Sequence, residues 1–120
     1  MRSVFCSVPV WELNLELCVC TGQVFRWHAF DGGWAGMVDD VLLVVMPFGT
    51  RWQVSALGAE PMARFRHLFR LEQDLKRVHT QLVRREPRWE SWIRALPGLR
   101  LLRWSNPEAC LFSFLCTPAN

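Results

Sequence analysis

A chain of 120 residues that is 51% hydrophobic and carries seven tryptophans can bury a core, and this composition excludes a disordered segment. Its formal charge of +3, with Lys76 as the single lysine, does not by itself require nucleic acid as a partner. It does permit a basic patch if the arginines gather in space. No run approaches ~20 apolar residues, and the start MRSVFCSVPVW lacks the apolar stretch of a leader, so neither a membrane span nor a signal peptide is expected. The chain reads as soluble and intracellular. Its five cysteines are an odd set with no disulfide-style framework, which fits a reducing compartment. Cys18 and Cys20 form a C-x-C pair, but no second pair completes tetrahedral spacing, so no metal is expected.

In chain order, residues 11–20 (WELNLELCVC) alternate. Trp11, Leu13, Leu15, Leu17 and Val19 share one side, and this period of two predicts a half-buried strand. Thr21-Gly22 breaks it. Residues 23–30 predict a second strand, the DGG at 31–33 a hairpin turn, and Trp34–Val38 a third strand. Asp39-Asp40 turns the chain into the apolar run Val41–Met46, read as a central strand. PFGT turns it again into an alternating strand, Arg51–Leu57. Together these make an antiparallel meander of five strands.

The period then changes. Pro61 suits a first helical turn, followed by Met62, Phe65, Leu68 and Phe69 at helical spacing. A second helix spans Leu75, Val78, Leu82 and Val83, opened by Asp74 and ended at Glu86-Pro87. A third carries Trp89, Trp92, Ile93 and Leu96, and Pro97-Gly98 closes it. SNPEACLFSFLC, residues 105–116, opens with a cap at Ser105 or Asn106 and a proline suited to the first helical position. Its Ala109, Cys110, Leu111, Phe112, Phe114, Leu115 and Cys116 wrap almost the whole circumference. A helix apolar all round demands cover all round, so a C-terminal continuation is expected.

Two blocks, TGQVFRW (21–27) and GLRLLRWSNPEACLFSFLCTPAN (98–120), joined by WELNLELCV before the first and FRLEQDLKRV between them, carry a resemblance. In this order they resemble the N-terminal part of the 8-oxoguanine DNA glycosylase family over roughly residues 8–120. The resemblance implies an α+β fold: a twisted, TATA-binding-protein-like antiparallel sheet with packed helices (1–96). The start of an all-helical domain (97–120) follows. It implies base-excision repair of oxidised purines with an associated AP-lyase activity in the full-length family. The implied partner is double-stranded DNA holding 8-oxoguanine opposite cytosine, and no cofactor is implied.

The same resemblance assigns base recognition to Gly22, whose carbonyl would accept from the N7–H that oxidation creates. It aligns Asn120 with the second of the family's DNA-contacting asparagines, while Ala119 stands at the first. The family's lysine nucleophile and aspartate have no counterpart in these residues, and Lys76 reads as a solvated helix residue. No catalytic residue is therefore expected within the chain, and the alternative reading is a non-catalytic DNA- or protein-binding module. Arg26 reads as the partner of Glu12 or Glu16 on a neighbouring strand. Phe25 and Trp27 read as core, and His28, His67 and His79 as surface or turn residues.

Overall fold

A computed structural model describes residues 2–117. Five antiparallel strands form one sheet: β1 Arg2–Cys6, β2 Trp27–Phe30, β3 Gly33–Val38, β4 Val41–Phe48 and β5 Arg51–Leu57. Their order, β1-β5-β4-β3-β2, is a meander of β2 to β5 with β1 added beside β5 and the apolar strand β4 in the middle. Asp31 and Gly32 both take positive φ (48° and 83°), the geometry of a two-residue primed turn whose twist suits the strands it joins. Val41, Leu43 and Val45 alternate inward along β4, and Trp52, Val54 and Ala56 do so along β5, as period two requires.

The count of five strands holds, but one expected strand is not among them. Residues 11–20 are a single 3-10 turn, Val10–Glu12, followed by helix α1, Leu15–Cys20. The Asn14 side chain accepts a hydrogen bond from the Leu17 N–H at 3.1 Å, satisfying one orphan donor of the first turn. Leu15, Cys18 and Val19 then point inward at helical spacing. The missing strand is supplied by β1, which periodicity did not announce. The expected second strand is shorter than its pattern, because residues 23–26 remain irregular.

The helices after the sheet follow their sequence signals. In α2, Pro61–Leu68, the proline opens the first turn and Phe65 and Leu68 are buried. Asp74 caps α3, Leu75–Arg85, accepting from the Arg77 N–H. Helix α4 is Trp89–Ala95, and Asn106 caps α5, Pro107–Leu115. The core lies between the inward sheet face and α1 and α2, with Leu13, Leu15, Leu43, Val45, Val54, Phe65 and Phe69 essentially inaccessible.

Two thiols belong to that core. Burial pushes Cys18 up from 9.0 to about 11, against a lowering hydrogen bond from the Arg100 N–H, and burial raises Cys6 as well. A raised acid means that the folded chain holds its proton more tightly than the unfolded chain. The resulting stability is complete below the unfolded thiol's pKa and is lost as pH rises through the folded value. Raising pH from 9 to 11 is therefore expected to cost about 2–3 kcal/mol through Cys18. The sequence has no tyrosine and one lysine, so the groups that share this window are chiefly the other cysteines, with Cys6 raised in the same direction. Urea midpoints across that range should fall in the native chain and much less in Cys18→Ala; equal slopes would refute the assignment.

Candidate functional site

Gly22 follows directly on α1. Thr21 closes the helix, with its hydroxyl donating to the Leu17 carbonyl, and Gly22 takes φ +84°. That left-handed conformation is the usual way to leave a helix, and it favours glycine. Gly22 is exposed, and a Cβ placed there would meet nothing within 4 Å. Bare main chain therefore faces open space.

The next residue fixes this bend, a role that its local sequence does not reveal. The Gln23 amide donates through Nε2 to the Arg100 carbonyl at 2.9 Å, and its Oε1 accepts from the Leu102 N–H at 2.9 Å. The side chain thus imitates a peptide unit paired with a strand. The Gln23 main-chain carbonyl accepts from Trp104 Nε1 at 2.8 Å. Three hydrogen bonds to a segment some 80 residues away hold the two blocks TGQVFRW and LRLLRW together.

Beyond Gln23 the aromatics divide. Trp27 is buried, in edge contact with Phe69 at 5.7 Å. Phe25 is not core: it is 39% exposed and meets the edge of Phe114 at 5.0 Å, with Trp104 at 6.2 Å. It lines a cavity of about 430 Å³ between residues 24–27 and α5, to which Ala109 and Ser113 contribute, with Met37, Leu68 and Trp104 on other walls. Gly22 does not line this cavity. Asp39 pins the approach to α5 by accepting from Arg64 at 2.7 Å and from the Ser105 hydroxyl.

Arg26 also borders the cavity, and it does not pair with Glu12 or Glu16. Those acids lie on the 3-10 turn and α1, not on a neighbouring strand, and Arg26 has no ion pair among the described residues. His28 and His67 are exposed, and His79 is half-buried. Among the described residues no cluster of His, Cys, Asp or Glu could hold a metal ion. Lys76 is exposed on α3. Asn120 lies outside the described residues.

The family model described as "8-oxoguanine DNA glycosylase, N-terminal domain" matches residues 6–110. The chain belongs to that family. Among solved structures, the Clostridium acetobutylicum 8-oxoguanine glycosylase/lyase in complex with double-stranded DNA containing cytosine opposite 8-oxoG superposes with a TM-score of 0.82. It is 25% identical, over 98% of this chain and 40% of that one. The apo form of the same enzyme gives 0.80 at 24% identity, over 96% of this chain and 40% of that one. MBOgg1 in complex with a low-affinity DNA ligand gives 0.78 at 22%, over 100% and 44%; these last two likenesses show the fold. The chain therefore spans about two-fifths of the length of the glycosylase structures it matches.

Among the described residues, α5 is the element left open. Phe114 leans on Phe25 and Trp104, but Leu111, Phe112 and Leu115 are 58–68% exposed. A helix that is apolar on all sides is thus covered on one side only among the described residues. Among these residues no helix is long and apolar enough to cross a membrane.

Proposed function

We propose that this chain supplies one wall of the damaged-base pocket in an 8-oxoguanine DNA glycosylase. The observation that carries the reading is Gly22: left-handed, exposed, without a neighbour where a Cβ would stand, and clamped through Gln23. In this reading the Gly22 carbonyl accepts from the N7–H of 8-oxoguanine. Normal guanine has a bare acceptor at that position and leaves the carbonyl unpaired, a loss of about 1–3 kcal/mol. Removal of the side chain lets a purine reach the main chain, and the clamp limits the entropy lost on contact. The extrahelical base costs a few kcal/mol to extract, which contacts from the whole pocket offset.

Residues 1–96 are the antiparallel α+β unit in this reading, and 97–120 lead into a helical unit that seats on the open faces of α5. The partner is duplex DNA with 8-oxoguanine opposite cytosine, and Asn120 is assigned to the DNA side. The reactive amine belongs to the helical unit in this reading, because Lys76, the single lysine, is exposed on the surface of α3. An intracellular, reducing setting is supported by the five free cysteines.

The chain is expected to prefer lesion-bearing duplex over its undamaged twin several-fold in competition binding, and to form no adduct under borohydride trapping. Gly22→Asn distinguishes recognition from turn chemistry. Asparagine tolerates the left-handed conformation, so a glycine that only ends α1 could be replaced with little change in discrimination. Loss of the lesion preference without loss of folding supports the pocket wall. Equal binding to both duplexes by the native chain removes it and favours a DNA-binding module without damage recognition.

A further inference from the structure

The peptide that joins Gly22 to Gln23 has both of its polar groups open. Among the described residues no donor reaches the Gly22 carbonyl and no acceptor takes the Gln23 N–H. Its neighbours, by contrast, are tied down. On one side Thr21 donates to the Leu17 carbonyl and closes α1. On the other, Arg100 and Leu102 hold the Gln23 side chain at both ends of its amide, and Trp104 Nε1 holds its main-chain carbonyl. An open peptide between two pinned residues can read a ligand in two ways, because it accepts on one edge and donates on the opposite edge.

Half a turn of this unit about the line joining its two Cα atoms exchanges those edges. Only ψ of residue 22 and φ of residue 23 change, so neither neighbour has to move. Glycine at position 22 offers no steric resistance. The resistance lies at residue 23, where the flip demands a positive φ and drives the Gly22 oxygen toward the Gln23 Cβ. Outside glycine the left-handed residues are Asp31, Asp39, Glu60 and Arg70, and Gln23 is not among them. A free side chain could turn away and relieve that contact. The Gln23 side chain is not free, since turning would break its bonds to residues 100 and 102, each 2.9 Å long.

We propose that Gln23 is a specificity-determining residue: it holds the Gly22–Gln23 peptide with the carbonyl, and not the N–H, toward N7 of the base. This role rests on the pocket-wall reading, which puts that carbonyl against the purine. It works by exclusion. Guanine N7 is a bare acceptor that a flipped peptide would satisfy through the Gln23 N–H, whereas the N7–H of 8-oxoguanine would then meet another donor. The same glycine bend can therefore favour either base, and discrimination requires that the second orientation be forbidden.

Three variants test it. Gln23→Met keeps Cβ but loses both amide bonds, and Gln23→Gly loses Cβ as well. Trp104→Phe leaves residue 23 intact and removes only the bond to its carbonyl. Each is read first without DNA, through the NOE between the Gly22 Hα protons and the residue-23 amide proton, a distance set by ψ of residue 22. Dispersed amide signals elsewhere check that the variant is folded. The NOE should depart from the native value least in Trp104→Phe and most in Gln23→Gly. Competition binding then compares duplexes bearing 8-oxoguanine, guanine or 7-deazaguanine, which lacks the N7 acceptor. The native chain should bind the last two alike. With both orientations equally populated in Gln23→Gly, lesion binding should fall about twofold, while guanine gains over 7-deazaguanine. A wall that merely loosened would weaken all three duplexes together. That result overturns the assignment, as does an unchanged NOE in Gln23→Gly or a native lesion preference retained in both Gln23 variants. A native chain that binds lesion and guanine duplexes equally overturns the pocket-wall reading and this role with it; the other failures leave that reading standing.

Discussion

Arg100→Met is expected to lower the unfolding free energy by about 3–4 kcal/mol, among the larger effects of one substitution. The guanidinium belongs to the only buried charged residue among those described, at 5% exposure. Nε donates to the Glu12 carbonyl at 3.1 Å, and NH1 donates to the carbonyls of Arg70 at 3.1 Å and Gln73 at 3.0 Å. One side chain therefore ties the 3-10 turn before α1 to the link between α2 and α3. Burial pulls the Arg100 pKa down, and nearby Cys18 and Glu12 oppose that shift.

Replacing a buried ion pair by apolar residues can be neutral because both charges leave together. Here the partners are main-chain carbonyls, which stay. Methionine fills much of the volume but leaves three acceptors without their donor, and each costs about 1–3 kcal/mol where water cannot reach it. Urea unfolding followed by tryptophan fluorescence should show a lower midpoint with an unchanged slope. A loss below about 1 kcal/mol would mean that water replaces the guanidinium freely. Because the Arg100 carbonyl also accepts from Gln23, the substitution should loosen the bend at Gly22 before the sheet melts.

The sequence made the turns and the later helices readable because their signals are local. Pro61, Asp74 and Asn106 each act on main-chain groups within their own first turn. Residues 11–20 misled because the helix they contain, Leu15–Cys20, is six residues long, too few to separate two periods. Leu13, Leu15, Leu17 and Val19 satisfy alternation, while Leu15, Cys18 and Val19 satisfy a helix. The Asn14 cap and packing beside Gly98 and Arg100 favour the helix. β1 lacked a sufficiently long pattern and takes its pairing from β5.

The site divides similarly. Gly22 is legible as a turn glycine in a recognisable block. Gln23 is not, because its partners lie at positions 100 and 102. Nothing within LRLLRW announces that Arg100 is buried while Arg103 reaches a more exposed ion pair with Glu72. Arg26 and Phe25 were misassigned for a related reason: residues 23–26 follow the Gln23 clamp instead of continuing the strand.

Gly36→Ala is expected to cost about 3 kcal/mol, although alanine suits a strand interior better than glycine does. Gly36 stands directly across from Trp27 in the β2–β3 register, and the indole lies over it. A Cβ at position 36 would come within 2.0 Å of the ring's Cδ2, far inside van der Waals contact. Trp27 cannot yield cheaply, because it is buried and its ring meets Phe69 edge-on in the core. Displacing it would open space against Phe69 and strain β2, an edge strand held only by β3. A double-mutant cycle separates this packing term from any need for glycine in the backbone. In a Trp27→Leu background, the branched side chain leaves room, and Gly36→Ala should cost less than about 1 kcal/mol. If the penalty is the same in both backgrounds, the main chain at 36 demands glycine and the indole contact is incidental. If it largely disappears, the missing Cβ is what seats Trp27, and Trp27 in turn anchors the strand that leaves the Gly22 bend.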